Sequence, residues 1–247
     1  MQIGLGLSPT IPMGVAVPAF TPASISGLQL WLDASDSSTL FQNSNGTTAA
    51  TAAGDPVGYW GDKSGNGRHA TQSDGTKKPA LNSSNYLQNA KNGILGDGVN
   101  DYLITTASGF LVEPYTYFVV VKSLNSNRFD RIVDSPNENG NFNGWTGNNY
   151  VMFSGSLASG GTRTTSTQLC TVLYSNLPVS SLLRINGANS FGPYDCGSGS
   201  PSTIGIFAGT LNGFANVVMY EFLGFNGISD TNRNLIESYL NTKWGVY

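Results

Sequence analysis

The sequence predicts an all-β protein, a jelly-roll-like antiparallel sandwich, and three observations carry this expectation. Charged residues make up only 11% of the 247 residues, and 31 glycines among abundant Asn, Ser and Thr are typical of short strands joined by many turns. Apolar and polar residues alternate in several short stretches, which is the period of a strand. Apolar residues show the spacing of a helix only near the carboxyl end of the chain. A chain of this length can form one sandwich with a sizeable core.

Three stretches are predicted as strands from their pattern alone. Leu28–Asp33 alternates three leucines with other residues, which indicates a half-buried strand. Residues 117–121 are apolar on both faces, as expected of a central strand. Residues 182–186 precede Gly187 and predict a strand that runs into an Asn-Gly hairpin turn.

Residues 214–225 form the longest predicted strand. Strict alternation would give it two faces: Val217, Met219, Glu221 and Leu223 on one, and Phe214, Val218, Tyr220 and Phe222 on the other.

A helix is predicted after this strand. Ser229 is a suitable N-cap, and Asp230 stands where the helix dipole favours an anion. An apolar stripe follows, made of Leu235, Ile236, Tyr239 and Leu240. Lys243 suits the last turn, Gly245 ends the helix, and Tyr239 and Trp244 are expected to be buried against the sandwich.

Several motifs together resemble a known superfamily. They are LQLWLD at 28–33, WGDKSGNG at 60–67, DGVNDYL at 97–103, TYFVVVK at 116–122 and IESYLNTKWG at 236–245. In this order the chain from 27 to 247 resembles the concanavalin A-like lectin/glucanase superfamily, in its laminin-G-like and pentraxin-like branch. The resemblance implies the same sandwich with its C-terminal helix. A fold of this kind hosts many functions and does not choose among them.

Residues 1–26 differ in composition from the sandwich domain expected at 27–247. They hold four prolines and no charged side chain, which favours an extended arm. Such an arm cannot bury its apolar side chains against itself, so it either folds back on its own sandwich or docks on a neighbouring subunit. We favour docking, through Ile3, Leu5, Leu7, Ile11, Met13, Val15, Val17 and Phe20.

Composition argues against several functions and sites. A net charge of −3, with no basic cluster larger than Lys77-Lys78, offers no footprint for nucleic acid. The sequence contains no uninterrupted run of 18 apolar residues, which is about the length that a membrane-spanning helix needs. One histidine, His69, and two cysteines cannot form a His/Cys zinc site. Cys170 and Cys196 could form one bridge, but we expect two buried thiols in a protein that matures in a cytoplasm.

The glutamates bear on whether the chain is an enzyme. Glycan-cleaving enzymes of the resembling superfamily carry a Glu-x-Asp-x-x-Glu pattern, and this chain has none. Glycoside hydrolysis needs two carboxyl groups. Glu221 could act as a catalytic acid or as a buried structural carboxylate. We expect the structural role, and no enzymatic activity.

Calcium is the one cofactor that the resemblance suggests. The branch often binds it through Asp, Asn and backbone carbonyls, the oxygen ligands that the ion prefers. The candidates here are Asp62, Asn66, Asp97, Asn100 and Asp101. The alternative, which we favour, is that these side chains cap tight turns.

Residues 125–150 are a candidate for a lectin-like surface, because they combine many asparagine side chains with aromatic rings. The stretch contains Asn125, Asn127, Asn137, Asn139, Asn141, Asn143, Asn148, Asn149, Phe142, Trp145 and Tyr150. Sugars are bound by amide hydrogen bonds combined with stacking on such rings. Turn chemistry and core packing explain the same residues equally well.

Three function classes follow: a structural protein, a carbohydrate-binding module, and a glycan hydrolase or lyase. Domains of the resembling branch recur in bacteriophage virions, and the absence of a cationic, apolar leader fits assembly inside a host cytoplasm. We rank first a capsid decoration protein anchored by its arm, as a homo-oligomer (a trimer is our expectation) on a shell or other virion protein. The alternative is a lectin-like module that binds surface glycans.

Overall fold

The computed structural model describes residues 20–82, 84–177, 179–207 and 213–247. The strands are β1 Leu28–Asp33, β2 Leu40–Phe41, β3 Tyr59–Trp60, β4 Ala70–Thr71, β5 Ala80–Asn82, β6 Gly93–Leu95, β7 Leu103–Thr105, β8 Tyr115–Ser123, β9 Asp130–Asp134, β10 Asn141–Trp145, β11 Asn149–Phe153, β12 Leu157–Thr162, β13 Thr167–Tyr174, β14 Ser181–Ile185, β15 Ala188–Tyr194, β16 Gly205–Ile206 and β17 Val217–Asn226. One α-helix follows, α1 Asp230–Trp244, and two 3₁₀ turns lie at Pro22–Ser24 and Ser37–Thr39.

Two antiparallel sheets face each other, which confirms the all-β sandwich with its C-terminal helix. The first sheet has the order β15-β14-β13-β8-β17-β6-β5, with β1 also paired to β17. The second has the order β12-β11-β10-β9-β16-β7-β4-β3-β2. Their facing side chains form one large apolar cluster that includes Tyr117, Val119, Phe142, Tyr150 and Phe222. Hydrophobic burial between the sheets is therefore the main stabilising term.

Helix α1 covers the outer face of the first sheet, so this sheet is buried on both sides. Trp244 and Ile236 pack there with Trp31, Phe118 and Leu223 in a second apolar cluster. Trp244 is fully buried, as predicted. Tyr239 is only half-buried.

The predicted stripe of α1 is wrong at Leu235, whose side chain is 45% exposed. Glu237 is buried in its place. Its carboxylate accepts hydrogen bonds from Arg184 Nε at 2.8 Å and Nη2 at 2.9 Å. A bidentate ion pair satisfies the buried charge, and residue type alone did not reveal this partner on β14.

The predicted faces of β17 are wrong after Met219, because the strand contains a bulge. Met219 pairs with Val121 and Glu221 with the adjacent Val120, so Tyr220 is an extra residue. One inserted residue moves every later side chain to the other face. Glu221 therefore faces α1 and not the inter-sheet core.

The start of this strand also differs from the prediction. Phe214 makes only an isolated bridge to Arg131, and the strand begins at Val217.

Strand β1 is buried on both faces, not on one as predicted. Trp31 and Asp33 are buried together with Leu30 and Leu32, because α1 and its cluster cover their side. The hairpin between β14 and β15 is confirmed, with Asn186 at φ 52° and Gly187 at φ 74°. Both angles are those of a two-residue hairpin turn.

The end of the arm lies on its own sandwich. The Phe20 ring meets Tyr239 of α1 at a centroid distance of 5.8 Å, and Ile25 packs against the cluster under α1. Pro22–Ser24 forms a 3₁₀ turn where extended backbone was expected. The other seven apolar residues proposed for docking, from Ile3 to Val17, lie outside the described residues. The division at residue 26 stays a prediction.

The cysteines are two free, buried thiols, as expected. Burial raises the pKa of Cys170 to about 12 and that of Cys196 to about 11. No helix in the described ranges has the length and hydropathy that a membrane crossing needs.

Candidate functional site

Strands β9 to β12 form one wing of the second sheet, and its outer face carries a groove. Inward side chains of this wing, such as Phe142 and Tyr150, stack at 4.9 Å and fill the inter-sheet core. Alternate residues must point outward.

The register places the outward residues in two rows across the strands. One row is Arg131–Asn143–Val151, and the other is Asn141–Phe153–Leu157. Together with Phe129, Glu138 and Trp145 they line a groove of about 150 Å³.

Trp145 forms the aromatic wall of the groove. Its indole is 42% exposed and meets the Phe129 ring edge-to-face at a centroid distance of 5.1 Å. The following turn holds Trp145 in place: Gly147 has φ 85°, and its N–H donates to Asn127 Oδ1 at 2.7 Å. A large ring kept exposed at the end of a strand is available for stacking.

The one basic side chain lining the groove is tied to two acids. Arg131 Nη1 lies 2.8 Å from Asp134 Oδ1, and Arg131 Nη2 lies 3.8 Å from Glu138 Oε1. Asp134 is fully buried, whereas Glu138 is exposed. The guanidinium of Arg131 also lies 5.5 Å from the centre of the Phe129 ring. This cation–π contact helps to fix the orientation of the guanidinium.

Two buried amides supply the remaining polar groups. Asn141 Oδ1 accepts a hydrogen bond from the Ser135 N–H at 3.0 Å. Asn143 is only 5% exposed, and its Oδ1 has no hydrogen-bond partner among the described residues. A buried acceptor without a partner is costly, so Asn143 Oδ1 is the strongest sign that the groove takes a hydrogen-bond donor.

A buried ion pair beneath the wing fixes the position of β9. Arg163 and Asp130 are both buried and bonded to each other. Arg163 also donates to Ser123 Oγ at 2.7 Å and to the Arg128 carbonyl oxygen at 2.8 Å. Because each of the three guanidinium nitrogens donates a hydrogen bond, the pair acts as a rigid support.

Three of the candidates named in the Asn-rich stretch line the groove: Asn141, Asn143 and Trp145. Phe142 and Tyr150 belong to the core. Asn125 accepts the N–H of Asn127, and Asn137 accepts the N–H of Asn139, so turn chemistry explains these two asparagines. Asn127 instead joins two loops by accepting the Gly147 N–H. Sequence reasoning missed Phe129, Arg131, Glu138, Phe153 and Leu157 as site residues. Outward alternation was the available signal for Arg131, Phe153 and Leu157, which lie on strands, whereas Phe129 and Glu138 lie outside the strands.

Each set of calcium candidates caps its own turn. Asp62 accepts the N–H groups of Trp31, Ser64 and Arg68 at 2.8 to 3.0 Å. Asn66 Nδ2 donates to the carbonyls of Leu28 and Gln29. These bonds support the turn-capping alternative for the first set.

The second set lies in another turn. Asp97 Oδ1 accepts the N–H groups of Val99, Asn100 and Asp101, and Asp101 Oδ2 accepts the Asp97 N–H. Within the described ranges, no group of three or more His, Cys, Asp or Glu side chains has metal-binding geometry. Turn capping stays the favoured interpretation of these residues, and calcium binding its alternative.

Glu221 is fully buried beneath α1, far from solvent. Its carboxylate accepts from Trp31 Nε1 at 2.7 Å and from Trp244 Nε1 at 2.5 Å, and it lies 2.7 Å from Lys243 Nζ. Lys243 also contacts Asp33 at 2.7 Å. Burial, with a smaller contribution from Asp33, raises the pKa of Glu221. This is the structural role that we expected.

His69 has a structural role too. Its Nδ1 accepts the Asp62 N–H at 3.1 Å, and its ring stacks on Tyr59 at 4.8 Å.

No protein-family model and no curated protein matches the chain, but several solved structures resemble it. Domain 4 of AbnA, an extracellular GH43 arabinanase from Geobacillus stearothermophilus solved with arabinotriose, is 14% identical. The match covers 85% of this chain and 98% of that one, with a TM-score of 0.59. The sialidase of Trypanosoma rangeli is 11% identical, with coverages of 89% and 33% and a TM-score of 0.58.

The binding domain of botulinum neurotoxin DC, solved with rat synaptotagmin II, is 14% identical, with coverages of 87% and 52% and a TM-score of 0.57. The chain thus spans about a third of the sialidase and half of the toxin structure. At these identities the similarity shows the fold alone. It agrees with a lectin-like β-sandwich, whereas a bacteriophage origin stays a prediction.

Proposed function

We propose that this chain is a non-enzymatic, glycan-binding β-sandwich module, and that the groove on β9 to β12 holds the sugar. The observation that carries the proposal is the exposed Trp145 beside Asn143, whose buried Oδ1 lacks a partner among the described residues. An aromatic wall and an acceptor without a partner are two elements that sugar recognition uses.

The chemistry of a sugar ring fits this pairing. Its C–H faces are apolar and pack on an indole face through dispersion and burial. Its hydroxyl groups are donors for the Asn143 amide oxygen and the Glu138 carboxylate. Because the groove is small and open, we expect contact with one or two rings and dissociation constants on the order of 10 μM to 1 mM.

The structural neighbours support this reading more than the capsid reading. Domain 4 of AbnA, which this chain matches over 98% of its length, holds arabinotriose, and the neurotoxin domain binds a protein receptor. Fold similarity at this identity lends support only by analogy.

The absence of catalysis belongs to the proposal. Glu221 lies under α1, bonded to two indoles. Asp134 and Glu138 stand four residues apart, and Glu138 lines the groove. Asp134 is fully buried and held by Arg131, so it cannot reach a glycosidic bond. Two carboxyl groups that both face the substrate are needed for hydrolysis.

Capsid decoration, a trimeric state, virion partners and virion localisation remain predictions of the sequence. Their basis is the arm, whose residues 1–19 lie outside the described ranges. A glycan-binding groove is compatible with a virion protein.

Calorimetric titration with arabinotriose, cellotriose, maltotriose and chitotriose tests the proposal. We expect at least one trisaccharide to bind, to be recovered intact, and to lose at least tenfold in affinity with Trp145→Ala. Tyr194→Ala is the matched control, because Tyr194 is 50% exposed and also contacts a phenylalanine ring, Phe191, but does not line the groove. Equal losses in both variants, or cleavage of a trisaccharide, would refute the proposal.

A further inference from the structure

We infer that the groove on β9 to β12 selects neutral sugars and rejects sugars that carry a carboxylate. This inference rests on the proposed glycan-binding function and specifies its ligand class.

The charges in and beside the groove sum to a negative value. Arg131 contributes one positive charge, and the two acids that it contacts, Asp134 and Glu138, contribute two negative charges. Recognition of a carboxylate by arginine requires free donors in a fork geometry. The two terminal nitrogens of Arg131 already face the carboxylates of Asp134 and Glu138. An anionic sugar would therefore have to displace one of these two carboxylates.

The neighbouring cations cannot supply the missing positive charge. Arg128 and Arg163 both pair with the buried Asp130. Arg128 Nη2 also donates to the carbonyl oxygens of Gly98 and Phe214. Asp130, which both arginines contact, pairs with the inward-facing Gly144 of β10, so these ion pairs lie on the opposite side of β9 from the groove.

Hydrogen-bond polarity leads to the same conclusion. Asn143 Oδ1 and the exposed Glu138 carboxylate can only accept. A sugar hydroxyl donates to both, whereas an ionised sugar carboxylate has no proton to donate and repels Glu138. Acceptors facing acceptors leave buried groups unpaired, which is the strongest basis for discrimination between similar ligands.

The test uses sugars that differ only at C6. Trisaccharides ending in glucose, galactose or mannose are compared with their counterparts ending in the corresponding uronic acid, by calorimetry at pH 7 and low salt. We expect the neutral member of the best-binding pair to bind at least tenfold more tightly. Glu138→Gln should reduce that ratio about threefold, because one repulsive charge is removed without a change of shape.

Asp230→Asn is the matched control, since it removes the same charge at the start of α1, on the opposite face of the sandwich. It should leave the ratio unchanged. Equal or tighter binding of the uronic acids would overturn this inference and leave the proposed function intact. If neither the neutral nor the acidic members bind, this inference fails, and if none of the four trisaccharides named above binds either, the proposed function fails with it. If Asp230→Asn changes the ratio as much as Glu138→Gln does, the selectivity arises from net charge and not from the groove.

Discussion

At the scale of single residues, Asp101 is a side chain whose ionisation opposes folding. Burial, and then the charge of Asp97, raise its pKa to about 6 from the usual 3.8. A carboxyl with a raised pKa in the folded state stabilises the fold below its unfolded pKa and loses that contribution as the pH rises through about 6.

Asp101→Asn should therefore stabilise the protein at pH 8 and change little at pH 4. The amide can accept the Asp97 N–H as the carboxylate does, and it carries no charge. We expect a gain of about 1 to 2 kcal/mol at pH 8, after allowance for solvent screening of a partly buried group. Thermal unfolding of both proteins across this pH range measures the difference. An effect of the same size at both pH values would show that charge is not the cause.

The groove residues show how far a sequence can predict a site of this kind. Asn141, Asn143 and Trp145 stand in the Asn-rich stretch that suggested a sugar-binding surface, and all three line the groove. Leu157 stands beside Phe153 only because of the β11–β12 register. Arg131 owes its place to the β9–β10 pairing. Register between strands is a tertiary property, so the composition of one stretch could not reveal these neighbours.

At the scale of elements, helix α1 is predicted to contribute a large share of the stability of the first sheet. Trp244→Ala should cost about 3 to 5 kcal/mol, because a fully buried indole is removed and Glu221 loses one of its donors. Leu235→Ala, in the same helix but 45% exposed, should cost less than about 1 kcal/mol. Urea unfolding of the two variants gives both values. Similar small losses would mean that α1 is peripheral to the sandwich.

The helix bounds followed from local signals, whereas the orientation of Glu221 did not. Ser229 caps α1 and Gly245 follows its last residue, both as predicted. The bulge at Tyr220 moves Glu221 to the face under α1, and strict alternation cannot anticipate an extra residue. Capping is encoded within a few residues, but a bulge depends on the partner strand.

At the scale of the whole molecule, removal of residues 1–19 tests the predicted arm. Phe20 and Ile25, which contact the sandwich, are kept in this variant. We expect near-native thermal unfolding, because residues 20–247 by themselves supply the two apolar clusters that hold the sheets and α1 together. If the arm joins subunits, the full chain is oligomeric in analytical ultracentrifugation and the truncated chain is monomeric. A full chain that is itself monomeric would argue against the docking arm and the trimer.

The most direct test of the glycan-binding groove uses the four tryptophans of the chain as probes. Trp31, Trp60 and Trp244 are buried, and Trp145 alone among the four is exposed. The indole N–H signals of ¹⁵N-labelled protein are followed while cellotriose, or whichever of the four trisaccharides binds most tightly, is added. The proposed site predicts that the Trp145 signal shifts with the binding curve and that the other three stay in place. Saturable binding that leaves the Trp145 signal unmoved would contradict it.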